Sequence, residues 1–417
     1  MTSKLAVIAT TVMAARLLTP GRFATYVGLL AAAHLGAAAW DAGVSTLVSV
    51  ERSGAHAPLS RLANRVLRAR LQSFPGWLAA FALASWVLGA TTGATVDDIM
   101  PFALASLLVS TQQPILAALR ADLHFSEASF ALFAGRWLTV GTLGCALALG
   151  FGSRGVALVG ISHVLGESCV VIAAVMSLRH HLGDGDPEWD ERRVRLRTAL
   201  PYAANSLLSI AYNRLDILLV AVLVPAAQLA AYAPASRIQD ALYFLPSAIA
   251  AVALPYLSRQ ASGPDAARWR TMRRLWLLGL LISVPSAIVL TFFMPAVLDL
   301  VLGPMYGTAA SPSRILVWSM PLSVIGATLL AYLISRGRGI QTTTAFAAAG
   351  VVSLTLHLIL DPRFGATGAA AASLARDAAN LAVAGLLIWR ARGPDKVRDP
   401  DAQQAMESAT VAGRERL

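Results

Sequence analysis

The sequence predicts an all-α integral membrane protein with about twelve transmembrane helices, in two six-helix bundles related by a pseudo-two-fold axis along the membrane normal. Three observations lead to this fold class: an apolar composition, a series of apolar stretches of membrane-spanning length, and a weak internal repeat. The 417 residues are 56% hydrophobic and 14% charged, with a mean hydropathy of +0.62. Soluble domains contain about 25% charged residues, so the composition excludes an ordinary soluble protein.

The polar gaps of the chain divide it into stretches long enough, or nearly long enough, to cross a bilayer. A hydrocarbon core of about 30 Å needs about 20 apolar residues in a helix. Each stretch is predicted to be helical, because lipid offers no hydrogen-bond partner to an open backbone. The predicted spans are residues 5–19, 25–49, 74–94, 99–119, 128–150, 155–178, 199–223, 231–257, 275–301, 312–335, 342–361 and 367–390.

The first predicted span is the shortest, and at 1.5 Å per residue it reaches only about 22 Å. Lys4, the short apolar run and the small residues Ala14 and Ala15 also fit a secretory signal peptide. We favour a real first span, because cleavage would leave the rest of the pattern without its first partner. A start codon assigned a few residues late would explain the shortness equally well.

Basic residues fall in alternate gaps and thereby predict the orientation. Of the 34 Lys and Arg residues, 25 lie in the gaps of one side, whereas Arg16, Arg22, Arg154, Arg314 and Arg363 lie on the other. Basic loops stay in the cytoplasm. The sequence therefore predicts a multi-pass membrane protein with both termini cytoplasmic.

Three pairs of segments repeat at a nearly constant offset. Many transporters are duplicated bundles of this kind. Six spans per half is an even number, so both halves insert the same way up. The pairs are Phe23–Tyr26 with Leu229–Tyr232, Leu116–Leu119 with Leu330–Leu333, and Phe151–Ala157 with Phe364–Ala370.

The repeat divides the chain into four parts. Residues 1–178 form a first six-helix bundle and residues 199–391 a second. A charged cytoplasmic linker at 179–198 joins them, and a charged cytoplasmic tail follows at 392–417.

Several classes of function are disfavoured by what the sequence contains. We find no phosphate-binding glycine loop, no nucleophile with its base and no His/Cys metal spacing, so we expect no enzyme, cofactor or metal. The formal charge of +11 is divided among short loops, which favours orientation and contact with membrane lipids over nucleic-acid binding. Cys145 and Cys169 fall inside spans and are predicted to be packing residues without a disulfide.

Three spans have continuous polar edges. His34, Asp41 and Ser45 share one face of the second span. Hydrogen bonds between helices would explain the serines. Carboxylates in apolar spans are costly and favour a water-filled cavity. The seventh and eighth spans have Tyr202, Asn205, Ser209, Asn213 and Asp216, and Tyr232, Ser236, Gln239, Asp240, Tyr243 and Ser247.

Arginines within the spans are candidates for binding an anion. Arg136 has no acidic residue within a turn on its own helix, although Asp41 or Glu167 could reach it from another helix. Arg214 and Arg237 lie off the middle of their polar stripes, and we weigh ion pairs with Asp216 or Asp240 equally with ligand binding.

The repeat adds one more pair of positions near mid-membrane. Twelve residues on from the repeated phenylalanines lie His163 and Arg376, and sixteen on lie Glu167 and Asn380. Each pair has i, i+4 spacing and shares a face. Corresponding midplane positions are where duplicated transporters tend to place their sites. A lone buried His is more often a satisfied core residue, but a neighbouring carboxylate favours a functional role.

The chain resembles the Wzx-type flippases of the polysaccharide transporter family, within the multidrug, oligosaccharidyl-lipid and polysaccharide exporter superfamily. The resemblance covers nearly the whole membrane portion. The first helix departs from the family in its short length and in lacking an internal charge. The segments that carry the likeness are Ala15–Pro20 through Asp41–Gly43, Asn213–Asp216 through Tyr232, Leu245–Pro246 with Pro255, Leu302–Tyr306, and Phe364–Ala370.

This resemblance implies a substrate and a mechanism. A polyprenyl-diphosphate-linked oligosaccharide would move from the inner to the outer face of the membrane through a central cavity by alternating access, with other polysaccharide-assembly proteins as possible partners. Arg136 and Arg376 would meet the diphosphate, with Arg214 and Arg237 as weaker candidates. Tyr202, Asn205, Tyr232, Gln239 and Tyr243 could face the sugars. Asp41, Glu167, Asp216 or Asp240 could carry a coupling H⁺ or Na⁺ or balance the arginines.

Three other functions stay open at this point, and one of them is a non-transporting scaffold, in which the buried charges would be costly relics of a lost function. A cation-coupled multidrug exporter of the same superfamily would need a cavity dominated by acids and aromatics, against which four arginines within the spans argue. A membrane polysaccharide polymerase or glycosyltransferase would need a sizeable loop rich in charged residues.

Overall fold

The structure is a computed structural model. It describes residues 2–41, 89–121, 124–150, 155–180, 212–259, 265–336 and 338–390, with single residues at 45, 75, 77, 81, 82, 86 and 208. Every regular element within these residues is helical, so the predicted all-α class is confirmed. The first half contains α1 (Thr2–Leu17), α2 (Pro20–Asp41), α3 (Val96–Ala121), α4 (Phe125–Ala148) and α5 (Gly155–His180).

The second half is more broken than the first. Its helices are α6 (212–223), α7 (Ala226–Leu242), α8 (Phe244–Arg259), α9 (Asp265–Val301), a 3₁₀ turn (Pro304–Ala309), α10 (Ala310–Leu316), α11 (Ser319–Ser335) and α12 (Gly339–Arg390). Among the described residues, six helices are long and apolar enough to cross a membrane, and a bent pair gives a seventh. The chain is therefore a multi-pass membrane protein.

Three breaks explain how these helices correspond to the predicted spans. The eighth span divides at Tyr243 into α7 and α8, because Pro246 cannot continue the preceding helix. The tenth span bends by 42° between the segments Pro304–Leu316 and Ser319–Ser335. The long α12 contains the last two spans, since Gly365 has φ 58° and ψ −135° and separates two helices.

Some predictions fall on residues outside the described ranges. These are about half of the third span, residues 181–198 of the linker, the tail at 392–417, and most of the first half of the seventh span, which includes Tyr202 and Asn205. Both cysteines are free. Cys145 is exposed on the surface of α4, so its predicted role in packing is wrong.

The hydrophobic cores show how the two halves meet. One core joins residues from both halves, including Leu18, Phe23, Ile217, Leu298 and Tyr306, all next to gaps predicted to lie outside. At the opposite end each described half has a core of its own, one around Leu116–Leu119 and one around Leu329–Leu333. The bundles are thus packed together at the predicted outer end, with α2 against α7 as a principal contact.

The repeated tyrosines confirm that the halves are built alike. Tyr26 on α2 and Tyr232 on α7 are both buried. Each reaches the last helix of its own half: the Tyr26 hydroxyl lies 3.4 Å from His163 Nε2, and the Tyr232 hydroxyl lies 2.9 Å from Ser373 Oγ.

Candidate functional site

A cavity of about 440 Å³ lies between the two halves. Its size is within the range of about 300–1,000 Å³ that is usual for ligand pockets. Residues of α1, α2, α4 and α5 face residues of α6 to α9 across it, and Tyr26 and Leu302 of the shared core line it toward the predicted outer end. The polar lining residues are Thr10, Thr11, Tyr26, His34, Arg136, Thr139, His163, Arg214, Arg237, Asp240, Tyr243 and Ser247.

The wall formed by the first half has one guanidinium with a fixed counter-charge. Arg136 Nη1 donates to Glu167 Oε1 at 2.5 Å, and Gln112 Nε2 donates to Glu167 Oε2 at 2.6 Å. Glu167 is only 3% exposed, whereas Arg136 is 24% exposed and lines the cavity. Arg136 therefore presents its remaining donors to the cavity while Glu167 holds it from behind.

The wall formed by the second half has two guanidiniums and one carboxylate. Arg214 Nη1 and Arg237 Nη1 both donate to the same atom, Asp240 Oδ2, at 2.7 Å and 2.9 Å. All three residues line the cavity. Arg237 Nε is buried and has no hydrogen-bond partner among the described residues. The predicted ion pairing of these arginines is confirmed for Asp240, and both arginines are also placed where a ligand could reach them.

The residues that line the cavity carry more positive than negative charge. Three arginines and one carboxylate, Asp240, line it, while Glu167 bonds Arg136 from the buried side and Asp216 lies with Arg214 and Arg237 on a small adjoining pocket. In a site of low dielectric constant an uncompensated cation is costly unless a mobile anion or water meets it. Free guanidinium donors are suited to bidentate contacts with phosphate oxygens.

Arg376 lies behind this wall, where neighbouring side-chain and backbone groups accept hydrogen bonds from its guanidinium. It is 2% exposed and donates through Nε to Asp377 at 3.1 Å and through Nη1 to the Tyr212 carbonyl at 2.6 Å. Its guanidinium also lies 4.5 Å from the centre of the Tyr212 ring. Asp377 accepts further hydrogen bonds from the Tyr212 hydroxyl at 2.8 Å and the Tyr243 hydroxyl at 2.6 Å. Arg376 is absent from the lining of the main cavity, but it lines a small adjoining pocket that shares Arg214, Arg237 and Asp240 with that cavity. Its predicted contact with the substrate stays a prediction.

The remaining predicted residues have separate positions. His163 lines the cavity and stacks on Tyr26. Tyr243 also lines it, whereas Gln239 is buried and donates to the Tyr243 hydroxyl at 3.0 Å. Tyr232 is buried and donates to Asp216 Oδ2 at 2.7 Å, away from the cavity. Asp41 accepts a hydrogen bond from the Ser45 hydroxyl at 2.5 Å, which confirms their shared face. Asn380 is buried outside the cavity lining.

Sequence reasoning missed three features of this region. It did not foresee Asp377 and Tyr212 as partners of Arg376, although an adjacent Arg-Asp pair inside an apolar span is a readable signal. The helix α1 lines the cavity with Val7 and Ile8 as well as Thr10 and Thr11, although no charged residue between Lys4 and Arg16 indicates this in the sequence. A buried pair on α12, His357 Nδ1 with Asp361 Oδ2 at 2.8 Å, was also overlooked.

No group of three or more His, Cys, Asp or Glu suited to a metal occurs among the residues that the structure describes. The expected lack of a metal or cofactor stays a prediction.

Residues 12–311 match the model of a family described as "polysaccharide biosynthesis protein". No curated protein is significantly similar to the chain in sequence.

Solved membrane transporters share the fold at low sequence identity. The lipid II flippase MurJ, in an inward closed conformation, aligns with a TM-score of 0.72 at 11% identity, over 93% of this chain and 85% of that one. An inward-facing multidrug resistance MATE transporter of the MOP superfamily aligns with a TM-score of 0.66 at 16% identity, over 93% of both chains. A MOP superfamily transporter from Pyrococcus furiosus, whose title describes a binding pocket of reverse polarity, gives 0.63 at 16% identity, over 93% and 91%.

Proposed function

Because the chain belongs to the polysaccharide biosynthesis protein family, we propose that it is a flippase for a polyprenyl-diphosphate-linked oligosaccharide. It moves this substrate from the inner to the outer face of the bacterial cytoplasmic membrane, with both of its own termini in the cytoplasm. The translocated unit serves the assembly of a surface polysaccharide such as lipopolysaccharide or exopolysaccharide. Other polysaccharide-assembly proteins act before and after it.

One observation carries the proposal: the cavity between the halves is lined by Arg136, Arg214 and Arg237. A sugar diphosphate cannot cross hydrocarbon unaided, because burying its charges without partners is prohibitive. Arginines from both halves supply donors for a phosphate group at mid-membrane. The fold shared with a lipid II flippase supports the same class of substrate.

The apolar part of the lining suits the lipid portion of such a substrate. Val7 and Ile8 of α1 and Phe244 of α8 line the cavity, and the side chains of the first two are exposed. In the proposal these apolar side chains contact the polyprenyl chain while the anionic head lies among the arginines. Tyr243 and His163 are the lining residues that we assign to the sugars.

Coupling to H⁺ or Na⁺ is part of the proposal. Glu167 and Asp240 bond arginines, so charge balance is the role we assign to them. Asp216 accepts the Tyr232 hydroxyl and has no ion-pair partner within hydrogen-bond distance among the described residues, which makes it our candidate for coupling. Asp41, bonded to Ser45, is the second candidate.

A cation-coupled multidrug exporter is the alternative with structural support, since MATE transporters share the fold. Three arginines in the cavity wall argue against it, because they would repel a cationic drug.

The proposal is tested by deleting the gene and analysing lipid-linked intermediates. We expect cells without surface polymer, with glycan-loaded carrier trapped on the inner leaflet. Wild type should restore the polymer, and Arg136→Gln should fail to do so at normal protein level. Arg120→Gln is the matched control, because Arg120 is exposed at the predicted cytoplasmic end of α3. Normal surface polymer in the deletion strain would contradict the flippase.

A further inference from the structure

We infer that Asp240 is a resident counter-anion that the substrate's diphosphate displaces, and that this competition sets how tightly the cavity holds its substrate. The inference rests on the proposed function, in that the substrate brings an anionic group into the cavity. It assigns to Asp240 a role in release as well as in charge balance.

The position of the carboxylate is the first argument. Asp240 follows Arg237 by three residues on α7, while Arg214 approaches from α6, and both guanidiniums bond one oxygen, Oδ2. The Asp240 side chain is 32% exposed, whereas that of Arg237 is 7% exposed. Asp240 thus lies on the open side of the cluster, where an oxygen of an entering phosphate would contact the same two arginines.

The charge balance is the second argument. Asp240 bonds both guanidiniums through one oxygen, whereas Asp216 lies in the same small pocket and forms no ion pair with them among the described residues. Arg237 Nε is also left without a hydrogen-bond partner among the described residues. A diphosphate carries more charge and more acceptor oxygens than a carboxylate, so it can bond both arginines more completely. Asp240 is tethered beside them and competes at a high effective concentration.

The wall formed by the first half provides a contrast. Glu167 is buried behind Arg136 and is also held by Gln112. It cannot exchange with a cavity anion without leaving a buried group unpaired, which is costly. Of the two carboxylates that bond the cavity arginines, Asp240 is therefore the exchangeable one.

Weakened binding is useful in a transporter, because the substrate must bind strongly enough to enter the site and weakly enough to leave it. If Asp240 competes with the substrate, its neutralisation should tighten binding and slow release. If Asp240 is only a scaffold for the arginines, its neutralisation should disorder them and weaken binding.

The experiment measures binding of farnesyl diphosphate, a soluble short-chain polyprenyl diphosphate, to the purified full-length protein in detergent. We expect Asp240→Asn to bind about tenfold more tightly than wild type, a difference of about 1.4 kcal/mol, and to show slower polymer export in cells. Asp299→Asn is the matched control, because it removes the same charge at an exposed position and should bind as wild type does. Equal or weaker binding by Asp240→Asn would overturn the inference.

A double variant keeps the test informative if Asp240→Asn does not fold. Arg214→Gln alone should bind more weakly than wild type, and Arg214→Gln with Asp240→Asn, which has the wild-type net charge, should recover affinity. Failure to recover would refute the competition. If wild type binds but Asp240→Asn does not bind more tightly, or the double variant does not recover affinity, only this inference is refuted. If wild type does not bind at all, the proposed anion site is refuted as well.

Discussion

The two halves of the molecule treat equivalent positions differently. At corresponding places in the repeat, His163 of the first half lines the cavity, while Arg376 of the second half is buried behind it. The equivalent tyrosines differ as well, because Tyr26 contacts a histidine at 3.4 Å and Tyr232 donates to a carboxylate at 2.7 Å. Equivalent positions in a duplicated fold therefore both hold a polar side chain, but these side chains differ in their exposure to the cavity and in their partners. The role depends on whether a counter-charge lies within reach.

The largest expected effect comes from breaking the buried network of the second half. Arg376→Ala leaves Asp377 as an uncompensated charge, and the loss of one partner of a buried pair costs about 3–5 kcal/mol. We expect a marked fall in folded protein and melting temperature, with export lost in proportion. His163→Ala should cost far less, because the hydrogen-bond contact of His163 with the Tyr26 hydroxyl is long, at 3.4 Å.

Fluorescence-detected size-exclusion chromatography after heating measures both variants. Neutralising the pair together, as Arg376→Gln with Asp377→Asn, should cost less than the sum of the single changes. If Arg376→Ala were normally stable but abolished export, Arg376 would be assigned to substrate binding and not to the stability of the fold.

A smaller effect is expected from the repeated tyrosines, which form a matched pair. Tyr232→Phe removes a hydrogen bond to a buried carboxylate, which we expect to cost about 1.5–3 kcal/mol. Tyr26→Phe removes a long contact and should cost about 0.5 kcal/mol or less. The difference in melting temperature between the two variants checks this. Equal shifts would mean that the two halves are energetically alike at this position.

A smaller effect than that of Tyr232→Phe is expected at the contact that joins the halves at the predicted outer end. The Tyr306 hydroxyl lies 2.8 Å from the Ala15 carbonyl and 2.9 Å from the Leu18 carbonyl, and its one hydrogen is shared between these two acceptors. Tyr306→Phe should lower stability by about 1 kcal/mol, seen as a small fall in melting temperature. Tyr256→Phe, on an exposed tyrosine of α8, should cause no shift. A fall in melting temperature as large as that of Arg376→Ala would show that the stability of each half depends on the contact between the halves.

The sequence was sufficient for the helical class, most span positions and the presence of charged groups between the halves. It was insufficient to predict what Arg214, Arg237 and Arg376 face. A helical wheel shows which residues share a face of one helix, but it does not show which neighbouring helix that face contacts. Asp377 was missed for a related reason. It lies one residue, or about 100°, from Arg376, so the two residues do not share a helical face. The lining by Val7 and Ile8 leaves no trace in an apolar helix.

The separate cores at the predicted cytoplasmic end have a mechanical consequence. In the proposed alternating-access cycle each bundle would tilt as a unit without disrupting its own core, and the contact between α2 and α7 would resist this movement. Substitutions at that contact should then shift the balance between the inward-open and outward-open forms while leaving the folding of each bundle unchanged.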